Sequence, residues 1–207
     1  GAPERPVVDD GTRVSASEIS DGVVVTLRYD SSAGVAAGDR LSLLYGQNEV
    51  ASVTLTAADI PTAGQTLSIN IPLSAAILGE DGTRSLEARF VSANGETGPL
   101  SLPLLLTIDT GAVTPVIPTL SGGAIGAAEA AAGISGQLSG IEPGAETTLT
   151  VSGPNAANPA QTLTRAVPVS ASGAFTLSPA LLAQFADGSL SLSAQQTDSA
   201  GNVSAVA

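Results

Sequence analysis

The side chains that could do chemistry in this sequence are acids and amides, and they fall in turns. Glu80 and Asp81 stand in "GEDG", Asp109 in "TIDTG", Asp187 in "ADG", and Asp198 with Asn202 in "TDSAGNVS". Oxygen donors of this kind serve two purposes. They ligate hard cations such as Ca²⁺, which takes about six to eight oxygens, or they accept backbone N–H bonds and close turns. Both readings stay open for each residue. The two "DG" pairs are ordinary turn sequences, "DSAGN" can close a hairpin with Gly201 or Asn202 at positive φ, and Asp109 can simply end a strand. No EF-hand-type D-x-D-x-D-G loop occurs, so a metal role rests on geometry rather than on a motif.

Other chemistries are closed off by what the 207 residues omit. There is no Cys and no His, which removes Cys and Ser–His nucleophiles, disulfides and the usual Zn²⁺ sites. Paired carboxylates also suggest a glycosidase. However, only five aromatics exist (Tyr29, Tyr45, Phe90, Phe175, Phe185), too few to line a sugar-binding cleft. No enzyme is expected, and no catalytic or cofactor-binding residues are assigned. All seven basic residues are Arg, against 19 acids, for a net charge of -12. That charge repels nucleic acid and anionic membranes. No apolar run approaches the roughly 18 residues of a spanning helix, so no membrane insertion is expected. No signal-peptide pattern opens the sequence.

The elements that must position the acids read as strands. "VVVTLRYD" alternates Val23, Val25, Leu27 and Tyr29 against Val24, Thr26, Arg28 and Asp30. "RLSLLYG", "VASVTLT", "TLSINIPL", "SLEARFV" and "LSLPLLLTID" repeat the pattern, the last through Leu100, Leu102, Leu104, Leu106 and Ile108. A period of two means half-buried strands of antiparallel sheets. "SSAG", "GQN", "EDG" and "NGETG" punctuate them as turns. A second series follows in "GISGQLSG", "ETTLTVSG", "QTLTRAVPV", "GAFTLSP", "SLSLSAQQ" and "NVSAVA". One helical turn is expected at "PALLAQFAD", with Pro179 at its start. The Ala/Gly-rich "GAIGAAEAAAG" (123–133) reads as a connection. Short strands at this spacing predict β-sandwiches.

The two series are internal repeats. "DGTRSLEARFVSANGE" (81–96) lies over "DGSLSLSAQQTDSAGN" (187–202) at a constant offset of 106, and the offset shifts by about one further upstream, where "LSLLYG" lies over "TLTVSG". This predicts two sister domains, 1–110 and 111–207. The first carries 6 Arg against 14 acids and the second 1 Arg against 5.

"ISGQLSGIEPGAETTLTVSG" and "ASGAFTLSPALLAQFADGSLSLSAQQTDSAGNVS" closely resemble the bacterial immunoglobulin-like tandem repeats of giant secreted adhesins of the RTX and biofilm type. The shared marks are a Gly-rich first hairpin, "DG" before a long alternating strand, and D-x-A-G-N-x-S after it. Residues 115–207 carry all three; residues 6–110 fit more loosely. In "SANGETG", Ser92 stands where the family has Asp and Glu96 where it has Asn. The resemblance implies two tandem Ig-like antiparallel β-sandwiches end to end. It implies a monomeric, non-enzymatic extender at the bacterial cell surface, outside the cell, whose partners are neighbouring repeats of the same chain. Cell adhesion and biofilm formation follow from that role. The alternative is a ligand-binding module near an adhesin tip, recognising a host protein or glycan.

The family also implies structural Ca²⁺ at domain junctions. In Ig-like topology Asp198 and Asn202 should lie near 110–116, with Glu80 and Asp81 at the lower end of the first domain and Asp109 in the connection. The expected Ca²⁺ ligands are therefore Glu80, Asp81, Asp109, Asp198 and Asn202. Asp187 would face a following domain, since "VSAVA" reads as continuing into one.

Overall fold

In the computed structural model, which describes Gly1 to Ala207, "VVVTLRYD" buries Val23, Val25, Leu27 and Tyr29 and turns the alternate residues outward. Similar alternation builds two compact units, Gly1–Thr110 and Gly111–Ala207, each all-β with a few helical turns.

In chain order the first unit holds β1 (Val7–Val8), β2 (Arg13–Val14), α1 (Ala16–Asp21), β3 (Val23–Asp30), β4 (Arg40–Tyr45), β5 (Asn48–Thr54), β6 (Thr66–Leu73), α2 (Ala75–Leu78), β7 (Gly82–Val91) and β8 (Leu104–Ile108). One sheet runs β1-β3-β6 and the other β2-β8-β7-β4-β5. Every pairing is antiparallel except β2 with β8, which is parallel. Both sheets feed one core, in which Val25, Leu27 and Tyr29 meet Leu41, Leu43, Leu86 and Leu106. Tyr29 stacks edge-on to Phe90 at 5.3 Å between ring centres, and its hydroxyl donates to the Asp59 carbonyl at 2.9 Å. Tyr45 donates to the Leu78 carbonyl at 3.0 Å. Buried hydroxyls need such partners. Pro72 lies within β6, which forms a sheet edge, so the missing N–H disrupts no second ladder.

"LSLPLLLTID" forms a strand only from Leu104 onward. Leu100 and Leu102 are exposed, at 45% and 66%. Before Pro103 it is Ser101 that faces inward, exchanging backbone and hydroxyl hydrogen bonds with Ala88 at 2.8 and 3.0 Å. The apolar alternation therefore breaks between Leu102 and Leu104.

The second unit holds α3 (Ala127–Ala132), β9 (Ile134–Gln137), β10 (Glu146–Asn155), β11 (Asn158–Val167), β12 (Ala174–Leu177), α4 (Pro179–Leu182) and β13 (Ser191–Thr197). Its sheets run β11-β10-β13 and β12-β9, around Leu138, Leu149, Val151, Phe175, Leu177 and Ala194. The terminal "NVSAVA" extends this through a single bridge, Thr197 to Val203, and backbone bonds between Ala194 and Ala207.

Local devices recur in both units. A short helix leads directly into a strand, α1 into β3 and α3 into β9. The N–H of Ser15 donates to Glu18 Oε2 at 2.6 Å, and that of Gly126 to Glu129 Oε2 at 2.8 Å. Each Glu thus caps the turn it sits in. Within 123–133, where the sequence suggested a connection, Ala127–Ala132 form a capped helix, α3; Ala supplies the propensity and Glu129 the cap. Ser74 and Ser178 cap α2 and α4 in the same way, accepting from the N–H groups of Ile77 and Leu181. Leu78 and Leu182 end these turns buried.

Strand register corrects the repeat alignment. Tyr45 pairs with Leu86 and Leu43 with Ala88 in the first unit; Val151 pairs with Leu192 and Leu149 with Ala194 in the second. Both members of each pair are 106 positions apart, so this strand pair needs no one-residue shift.

Packing tolerance is low at Gly136. A Cβ there would lie 2.4 Å from Phe175 Cζ, in the core. Gly136→Ala is expected to destabilise the second unit by roughly 1–3 kcal/mol, read as a lower thermal midpoint. An unchanged midpoint would show that the Phe175 ring yields.

Candidate functional site

Asp198 follows β13 and closes the loop that returns the chain to Val203. Its Oδ1 accepts the N–H groups of Ala200 and Asn202 at 2.8 and 2.9 Å. Its Oδ2 accepts Asn202 Nδ2 at 2.8 Å. Backbone bonds from Asp198 N–H to the Asn202 carbonyl and from Gly201 N–H to the Asp198 carbonyl complete the loop. Gly201 takes φ 91, the left-handed region that favours glycine. Asp198 and Asn202 are each only 8% exposed. Burial pushes the Asp198 pKa up, but the hydrogen bonds from Asn202, Ala200 and Gly201 outweigh it, and the net value lies below the ordinary 3.8.

The first unit builds the same loop with weaker chemistry. Ser92 N–H donates to the Glu96 carbonyl and Gly95 N–H to the Ser92 carbonyl, both at 2.8 Å. Ser92 Oγ accepts the Glu96 N–H at 3.0 Å. The replacement of Asp by Ser keeps the turn with a neutral acceptor, and the loop's acid stands at Glu96 instead.

The three candidate acids of the first unit, Glu80, Asp81 and Asp109, gather where β7 begins and β8 ends, since Gly82 pairs with Ile108. Asp81 Oδ1 accepts both the N–H and the hydroxyl of Thr110, at 3.1 and 2.8 Å. Asp109 Oδ2 forms an ion pair with Arg13 Nη1 at 2.7 Å. Glu80 is exposed and contributes its backbone carbonyl, which accepts from Arg84 Nη1 at 2.9 Å. The Arg84 guanidinium lies 5.7 Å from the centre of the Tyr45 ring. In the second unit Asp187 is exposed before β13, at the opposite end of that strand from Asp198. The structure thus brings Asp81 and Asp109 to one end of the first unit and joins Asp198 to Asn202 in the second.

As a calcium shell these groups are incomplete. No three carboxylates lie close enough to share an ion, whereas Ca²⁺ takes about six to eight oxygens. Asp109 already faces a cation, and Asp198 already accepts from its own loop.

A polar node in the second unit carries no metal-like signature and was not singled out in the sequence. Gln196 is 1% exposed. Its Nε2 donates to the carbonyls of Val113 and Gly140 at 2.5 and 2.9 Å, and its Oε1 accepts the Glu142 N–H at 3.1 Å. Glu142 Oε2 accepts the Val113 N–H at 2.8 Å. The signal was available: the alternation Leu192, Ala194, Gln196 points this amide inward.

No protein-family model matches the chain, and no curated protein matches it. Among solved structures it is similar to a Ca²⁺-stabilized adhesin that helps an Antarctic bacterium reach out and bind ice, at 23% identity and a TM-score of 0.47, over 100% of this chain and 48% of that one. It is similar to a 1.5-MDa bacterial ice-binding adhesin at 22% identity and a TM-score of 0.41, over 98% and 61%. It is also similar to a tetra-tandem repeat from the extending region of a large adhesion protein, at 16% identity and a TM-score of 0.33, over 98% and 48%. The chain spans about half to three-fifths of the length of these structures.

Asp198 stabilises the fold while it is ionised. Its folded pKa is depressed, so its contribution is present above the ordinary value near 3.8 and fades as pH falls through the lower folded value. Asp198→Ala is expected to cost the second unit roughly 1–3 kcal/mol at neutral pH, because buried N–H groups lose their acceptor. Acid titration of thermal stability below pH 4 should fall more steeply in the wild type than in Asp198→Asn. Parallel titration curves would remove the charge from this account.

Proposed function

We propose that this chain is a two-unit stretch of the extender region of a large bacterial cell-surface adhesin, non-enzymatic and extracellular, working in cell attachment and biofilm formation. The observation that carries this reading is the repetition of one frame within one chain. The Glu-capped helix and the Ser-capped turn recur in both units, and the strand pair recurs register for register. Repetition of whole structural units is how a chain gains reach. The acids support a mechanical role, because Asp81, Asp109 and Asp198 are tied into loop closure and ion pairing. A net charge of -12 keeps neighbouring strings apart by like-charge repulsion. The Ig-like character of each unit, and neighbouring repeats as its partners, belong to the same reading.

Structural Ca²⁺ is part of the proposal, with oxygen donors at separate places: Glu80, Asp81 and Asp109 at one end of the first unit, and Asp198 with Asn202, and Asp187, at opposite ends of β13 in the second. Neutralising like charges is the energetic rationale. Millimolar Ca²⁺ should therefore raise the melting temperature over that in EDTA, and Asp81→Asn/Asp109→Asn should shrink the difference. Superimposable melts with EDTA and with Ca²⁺ would remove calcium from the reading.

A further inference from the structure

We infer that each unit holds its own end of the joining chain through side chains, so that Gly111 and Ala112 form the whole of the untied link. In the first unit the last clamped residue is Thr110, whose N–H and hydroxyl both donate to Asp81 Oδ1. Just before it, Asp109 is fixed by its N–H to the Val14 carbonyl at 3.0 Å and by its carboxylate to Arg13.

In the second unit the first clamped residue is Val113. Its N–H donates to Glu142 Oε2 and its carbonyl accepts from Gln196 Nε2. A buried amide is costly unless its donors and acceptor are all used. Gln196 meets that condition by spanning Val113, Gly140 and Glu142. Three residues later Val116 and Ser139 exchange backbone bonds at 2.9 and 3.1 Å. The node is particular to this unit. At the matching register position of the first unit stands Phe90, opposite Leu41 as Gln196 is opposite Thr147, and Phe90 packs on the Tyr29 ring.

The clamp uses only groups of the chain itself, so it operates without metal. It does not depend on the adhesin reading, although a stiff link would serve an extender. Asp81 and Asp109 belong to both proposals, whereas Glu142 and Gln196, which hold Val113, belong to the clamp alone.

Amide hydrogen exchange on the full chain in EDTA tests it. Thr110 and Val113 should exchange at least about tenfold more slowly than Gly111 and Ala112. Glu142→Ala and Gln196→Ala should each raise exchange at Val113 by about the same factor while leaving Thr110 and the core amide of Val151 unchanged. Glu142→Gln, which keeps an acceptor oxygen, should retain the protection. Asp81→Ala should release Thr110 alone. Equal exchange across residues 110–113 in the wild type overturns the clamp whatever the variants do. So does loss of Val113 protection in EDTA with its return in Ca²⁺, a result that would instead favour the calcium proposal. Indistinguishable calcium melts would leave the clamp standing, so the two ideas fail separately.

Discussion

A backbone N–H removed from water must find an acceptor, and in this chain side-chain oxygens supply it at one loop after another. Asp9 accepts from Val24, Asp30 from Ser32, Asp59 from Thr56, Asp81 from Thr110, and Asp198 from Ala200 and Asn202. Glu18 and Glu129 do the same at helix starts. With no disulfide available, these bonds fix where strands stop and turn. They also explain part of the unusual charge. Many of the acids are acceptors whose place is set by the backbone, and their repulsion is the by-product of holding loops closed.

The two units show how much sequence drift such a frame absorbs. The loop that Asp198 closes with three accepted bonds is closed in the first unit by Ser92 with one. The inward position filled by Phe90 in one unit is filled by Gln196 in the other. The first exchange keeps the turn and makes its acceptor neutral; the second replaces aromatic packing with a saturated amide. Both are permitted because the backbone ladder on either side stays in register.

Strand content was legible because period-two alternation has a direct physical cause: one face of each sheet meets the core. β3 and β13 show it plainly in their burial. What alternation hid was polarity inside the pattern. Gln196 follows Leu192 and Ala194 on the inward row yet reads as a surface residue by type, and Ser101 replaces an expected leucine at the same kind of position. Helix α3 was hidden for another reason. Its cap is Gly126 with Glu129, and a glycine leaves the backbone N–H as the only half of the capping box to recognise. For α1 the fuller signal, Ser15 followed by Glu18, stood in the sequence. Among the acids, residue type told that oxygen donors lie in turns, but not that Arg13 and Thr110 would occupy Asp109 and Asp81. Those partners are distant in sequence or carry no motif.

The distribution of aromatic rings has a practical consequence. Both tyrosines lie in the first unit, each buried with its hydroxyl on a backbone carbonyl, and the chain has no tryptophan. The second unit holds only Phe175 and Phe185. Tyrosine absorbance and emission are therefore a built-in reporter of one half of the molecule. The other half is silent at those wavelengths, so a tyrosine signal reports the state of the first unit alone in the intact chain, without any label.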